Sequence, residues 1–241
     1  MPQWSFTSDE FTHVWEVETG HDRRPYPLDL APRGTTVTES EQAALGLADR
    51  FPFNGAPELT STLRFLARTD VTTVSLFGDR FLDGHPQPDP ILALGVTFGD
   101  WGAAAIATSE KVTVVSCKAR NTIRHLVTAM GPVPAGGLER MREPRQAVLF
   151  PPADQWQETA EIRRATQLRQ ALRRPIDARG YITVTVLPDE VMSPPPVHRT
   201  WMDFTGDGRY LLAVGHELTL APAGPDLLIH HLSGLARIDR R

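Results

Sequence analysis

The sequence predicts an α+β fold in which antiparallel strands from two similar halves join one sheet, with helices packed against its faces. Three observations carry this reading. Segments rich in β-branched residues are punctuated by Gly, Pro and Asp, helix-capping signals precede apolar stretches of helical spacing, and the order helix, strands, helix occurs twice. With 241 residues, 41% of them hydrophobic, the chain can bury a core without a disulfide or metal staple.

Trp4 to Phe6 reads as a short strand feeding a helix that starts at Thr7. Thr7 and Glu10 form a capping box, Phe6 and Phe11 occupy the staple positions, and Phe11, Val14 and Trp15 share an apolar face. Pro25-Tyr26-Pro27 predicts an extended segment ended by Gly34, and Thr38 with Glu41 makes a second capping box before Ala43, Ala44, Leu45, Leu47 and Ala48. Asn54-Gly55-Ala56-Pro57 breaks that helix, and Leu59, Leu63 and Leu66 suggest a third. Val71–Phe77, Ile91–Phe98, Ala103–Thr108 and Val112–Cys117 follow as a meander, and Ala119 to Met130 reads as a helix.

Residues 131–152 hold five prolines and three glycines, which predicts a connection without regular structure between a half at 1–130 and a half at 153–241, packed as one globular unit. Asp154, with Gln157 at the reciprocal position, is expected to cap a helix through Arg173, with Ile162, Ala165, Leu168 and Leu172 on one face. Strands return at Tyr181–Leu187, Thr200–Phe204 and Arg209–Val214, the last two joined as a hairpin across Gly206-Asp207-Gly208. Leu227 to Ile238 closes as a helix.

Composition narrows the function classes. A formal charge of −4 argues against nucleic acid as the main partner, since phosphate binding needs a concentrated basic face. The apolar runs around Ile91–Phe98 and Leu211–Val214 fall far short of the ~20 residues of a membrane crossing, so no membrane insertion is expected. No basic stretch followed by an apolar run opens the chain, so no secretory signal is expected. Cys117 is the single cysteine, which fits a reducing cytosol and excludes an internal disulfide framework. The charge is uneven: residues 1–120 carry 10 basic against 16 acidic side chains, residues 121–241 carry 15 against 13.

Motifs for catalysis fail on spacing. His216-Glu217-Leu218-Thr219-Leu220 opens like a zinc protease motif but has Leu220 where the second His belongs. His230 and His231 are adjacent, so on a helix they diverge by ~100° and cannot chelate together. Asp203-Phe-Thr-Gly-Asp-Gly208 resembles the start of a calcium loop, yet Val214 stands at the twelfth position. Cys117 and His125 lack a local nucleophile signature, and a buried thiol explains Cys117 better. No phosphate or dinucleotide loop occurs, so neither a catalytic residue, a metal nor a cofactor is expected. The surface feature that remains is Gly78–Pro90, thirteen residues between two strands with Phe81 and Leu82 near the tip; these either dock a partner or fold back as a satellite core. Leu187–Val197 is a second candidate surface, or a proline-stiffened connection.

Several segments together resemble one family, the EspG proteins associated with ESX (type VII) secretion in actinobacteria. Trp4-Ser-Phe-Thr-Ser-Asp-Glu-Phe-Thr-His-Val-Trp15 and Pro25-Tyr26-Pro27-Leu28 are similar to the family's start. Arg179-Gly180-Tyr181-Ile-Thr-Val-Thr and Trp201-Met-Asp-Phe-Thr-Gly-Asp-Gly-Arg209-Tyr210 resemble its C-terminal signature. The resemblance implies a central antiparallel sheet with approximate two-fold symmetry. It further implies a cytosolic, non-enzymatic chaperone that caps the apolar tip of a PE–PPE-type secretion substrate. In the family, an early loop and the C-terminal helical region contact the substrate, which points here to Phe81, Leu82 and Asp83, and to Leu227, Leu228 and His231. Relatives tend to carry a basic run after the Arg-Gly-Tyr strand, where this chain has Pro188-Asp189-Glu190. Self-association into a homodimer stays open. The rival reading is an enzyme or small-ligand binder with a cleft between the halves and His125, His198 or His216 as acid–base groups.

Overall fold

The structure is a computed structural model that describes residues 2–31, 45–82, 84, 86–150 and 159–238. Strand β1 (Gln3–Phe6) runs into α1 (Ser8–Thr19), and α2 (Leu47–Arg50) and α3 (Pro57–Leu66) follow. The meander is β2 (Thr72–Arg80), β3 (Asp89–Phe98), β4 (Trp101–Ala107) and β5 (Val112–Lys118), closed by α4 (Ala119–Ala129). The pattern then repeats with β6 (Met141–Pro144), α5 (Arg145–Leu149), α6 (Ala160–Ala171), β7 (Ile176–Thr185), β8 (Val197–Phe204), β9 (Gly208–Val214), β10 (Glu217–Pro222) and α7 (Pro225–Leu235). The described strands form one antiparallel sheet in the order β1-β5-β4-β3-β2-β7-β8-β9-β10-β6. Each half puts its first strand at the outer edge beside its last, and its second strand at the centre. That arrangement is the internal two-fold symmetry that the element order foreshadows.

Local signals account for the first helix. Thr7 Oγ1 accepts from the Glu10 amide at 3.3 Å, and Glu10 Oε2 accepts from the Thr7 amide at 2.8 Å, so two orphan donors are satisfied reciprocally. The rings of Phe6 and Phe11 sit 6.3 Å apart across the helix start. Non-local packing decides elsewhere. The segment at Pro25-Tyr26-Pro27 is not extended: it turns, with Tyr26–Pro27 cis, into a 3-10 turn at Leu28–Leu30. Thr38, Glu41, Asp154 and Gln157 lie outside the described residues; helix α6 is capped by Thr159, whose hydroxyl accepts from the Ile162 amide at 3.3 Å.

Residues 131–152 correct the sequence reading, because they hold both β6 and α5. Strand β6 is an edge strand of four residues paired to β10 from Met141 to Pro144, and an edge is where a sheet tolerates proline. Strand β10 was not expected either; Glu217-Leu218 opens a strand, not a helix. The loop after β2 is shorter than Gly78–Pro90, since the ladder continues to Arg80 opposite Asp89.

Three clusters form the core. On one face, α1 and α3 pack over β3, β4 and β5 through Phe11, Trp15, Leu63, Leu92, Ala105 and Val114. On the same face, α5 and α6 pack over β9 and β10 through Val148, Leu168, Tyr210, Leu218 and Leu220. On the opposite face, α4 and α7 cover the middle through Ile123, Leu126, Leu228, Leu232, Leu76, Ile182 and Trp201.

Buried polar groups tie the halves together. Arg209, fully buried, donates to both carboxylate oxygens of Asp203 at 2.7 and 2.8 Å, and to the Met130 carbonyl at the end of α4 at 2.8 Å. Asp207 accepts from the Gly137 amide at 2.7 Å, the Tyr210 hydroxyl at 2.8 Å and Arg174 at 2.6 Å. The Gly137 amide first, then Tyr210 and Arg174, hold its carboxyl below the usual carboxylate range despite partial desolvation. A carboxylate whose pKa falls on folding stabilises the fold above its unfolded value of about 4, and loses that contribution as pH drops through the folded value. Asp207→Asn is therefore expected to flatten the loss of stability below about pH 4. Urea midpoints against pH check this; an unchanged acid limb overturns it.

Candidate functional site

One row of directly opposed residues crosses all ten described strands on the face that carries both helix pairs: Phe6, Val112, Ala107, Leu92, Phe77, Tyr181, Thr200, Leu212, Leu220 and Met141. Phe6, Val112, Ala107 and Leu92 are buried at one end and Leu220 at the other. Phe77, Thr200 and Leu212 are half-buried, and Tyr181 is 59% exposed. The helix pairs thus stop short of the middle. They leave the outward side chains of β2, β7 and β8 as an open strip between them.

The strip has a defined chemistry because strand residues alternate faces. The inward set on β7, Ala178, Gly180, Ile182 and Val184, is buried, while Asp177, Arg179 and Tyr181 are exposed. Opposite them on β2, Phe77 faces Tyr181 and Asp79 faces Arg179. The rings of Phe77 and Tyr181 stack at 6.5 Å with 18° between planes. On β8, Thr200 and Met202 continue the strip beside Tyr181 and Arg179, and His198 Nδ1 lies 3.0 Å from Thr183 Oγ1. Aromatic rings, a thioether, a guanidinium and hydroxyls suit the surface to burying apolar groups of another chain.

Phe81 and Leu82 stand at one end of this strip, just past β2, 39% and 42% exposed. The Phe81 amide donates to the Asp177 carbonyl at 2.7 Å. Asp83 lies outside the described residues. The other three residues expected at the site are not brought to it, because α7 lies on the opposite face. Leu228 is fully buried in that core and has no surface to offer a partner, which corrects its assignment. His231 is half-buried there; burial, then the Arg199 charge, lowers its pKa. Leu227, on the same helix, is exposed. Leu228 and Leu232 at helical spacing were the available sign of a core stripe. Phe77, Arg179 and Tyr181, which sequence reasoning did not assign, carry a legible alternation; the pairing of β2 with β7 that joins them is non-local.

The rival histidines do not converge. His125 is on α4 under the opposite face, where burial, then Arg124, lowers its pKa; His198 is on β8 in the open strip, and His216 is in the turn before β10. None lines either of two large cavities, one of about 1000 Å³ at the sheet end by Phe98 and Trp101, the other of about 960 Å³ between β6 and α6. Cys117 is buried with its Sγ 3.4 Å from Thr122 Oγ1, and burial raises its pKa. Among the described residues, no three His, Cys, Asp or Glu side chains gather as a metal site, and no helix is long and apolar enough to cross a membrane.

The model of the EspG family matches residues 7–234. Among solved structures, the chain is similar to the Mycobacterium tuberculosis type VII secretion system chaperone EspG5, solved in complex with a PE25–PPE41 dimer. The TM-score is 0.61 at 18% identity, covering 97% of this chain and 95% of that one. At that identity the likeness concerns the fold. No curated protein matches the chain.

Proposed function

Because the chain belongs to the EspG family, we propose that it is a cytosolic, non-enzymatic secretion chaperone that docks a PE–PPE-type cargo on the open strip and the Phe81–Leu82 turn. It keeps that cargo soluble until export. The observation that carries the reading is the row that is buried toward both sides of the sheet and exposed at Tyr181. A sheet face walled by helices on both sides is a preformed trough. Apolar side chains of a partner laid in it gain about 25 cal/mol for each Å² removed from water. The solved relative with a similar fold was captured with a PE–PPE dimer, which supports the class of cargo.

The test is co-expression with PE–PPE pairs from the same genome, followed by gel filtration. Wild-type protein is expected to co-elute with at least one pair. Phe81→Asp with Leu82→Asp is expected to abolish co-elution, each charge costing about 2 kcal/mol or more in a desolvated contact, with the melting temperature unchanged. Leu227→Asp, on the opposite face, is expected to co-elute normally. Retained binding by the double variant moves the site elsewhere, and failure of every pair to co-elute with wild type overturns the reading.

A further inference from the structure

We propose that Arg179 is a positioning residue: its guanidinium holds Phe81 against β7, so that this ring, just past the end of β2, is presented already ordered. The consequence for binding rests on the cargo reading above; the latch itself does not. Three observations meet here. The Arg179 guanidinium carbon lies over the Phe81 ring, 5.7 Å from its centroid. The Phe81 amide extends the β2–β7 ladder one step past Arg80, to the Asp177 carbonyl at 2.7 Å. The register places Arg179 opposite Asp79, so Phe81, two residues further along β2, is its diagonal neighbour on the same face, within reach of a long side chain.

A partly exposed aromatic at the start of a loop gains little from its own strand, because the ladder ends there. A cation over its ring adds attraction at a site still open to water. Ordering Phe81 before the partner arrives lowers the entropy cost of binding. Arg179 therefore acts on cargo through Phe81, and it does so from the Arg-Gly-Tyr segment, whose glycine serves the opposite face.

The experiment has two arms, both on the full chain. In the free protein, Arg179→Ala is expected to speed amide exchange at Phe81 about fivefold, with Arg179→Lys much closer to wild type and the Ile182 amide unchanged. With the PE–PPE pair that co-elutes with wild type, Arg179→Ala is expected to weaken binding about fivefold, and less than twofold when introduced into the Phe81→Leu variant. Equal losses in the two backgrounds mean that Arg179 touches the cargo directly, and they overturn the proposal, as does unchanged exchange at Phe81. Should Phe81→Asp leave cargo binding intact, the docking site lies elsewhere, while the exchange arm still decides the latch.

Discussion

Arg209→Ala is expected to remove about 3–5 kcal/mol of unfolding free energy, the cost of leaving a buried charge without its partner. Against a total of ~5–15 kcal/mol that is a large share. The guanidinium has no exposed surface, and the Asp203 side chain only 4%. Truncation strands the buried Asp203 carboxylate where water cannot replace two lost hydrogen bonds. It also removes the nearer donor of the Met130 carbonyl at the C-terminal end of α4, leaving only the longer bond from Arg80 at 3.4 Å. The backbone of Arg209 adds to this: its amide donates to the Pro134 carbonyl at 2.8 Å, and its carbonyl accepts from the amides of Gly136 and Ala223. One residue thus fixes the crossing from the first half of the chain into the second. Replacing the whole pair, Arg209→Met with Asp203→Leu, is expected to cost much less than Arg209→Ala, because no charge is left behind. Chemical denaturation of the three proteins checks the order; a loss under about 1 kcal/mol for Arg209→Ala would falsify the assignment of the crossing to this pair.

The elements legible in the sequence are those whose cause is local. The Thr7–Glu10 cap, the Leu59, Leu63 and Leu66 spacing of α3 and the Gly206 turn between β8 and β9 each depend on residues within a few positions. Strand β6 is hidden by the prolines and glycines of residues 131–152 around it, since only Met141 to Pro144 pair with β10. Strand β10 shows a plain alternation, Leu218 and Leu220 inward with Thr219 between them, which the partial zinc motif at His216-Glu217 overlies. The proposed docking surface is half legible. Phe81 and Leu82 stand out as apolar residues in a loop, while the strip behind them exists only because β2 and β7, about a hundred residues apart, pair at the centre. The assignment of Leu228 failed for the converse reason: which face α7 covers is set by the whole sheet.

Gly180→Ala is expected to cost about 3 kcal/mol, at the upper end for overpacking, and to lower the melting temperature by roughly 6–12 °C for a chain of this size. Gly180 and Gly78 are opposed at the junction of the two halves, and the Trp201 indole lies across both. A methyl on Gly180 would meet the Trp201 ring at 2.1 Å and the Phe77 carbonyl at 2.3 Å. Neither neighbour can yield cheaply. The ring is fully buried between β8 and the helices of the opposite face, and the carbonyl belongs to the central ladder. Glycine here provides space for a close approach, with no unusual dihedral involved. Gly234→Ala is the matched control: it lies inside α7 with nothing within 4 Å of the added methyl, so it is expected to stabilise by ~0.5–1 kcal/mol. Opposite signs for the two glycine substitutions in one thermal series support the junction. A Gly180→Ala protein as stable as wild type would mean that the halves do not meet over Trp201, and the trough on the other face of the same strands would lose its floor.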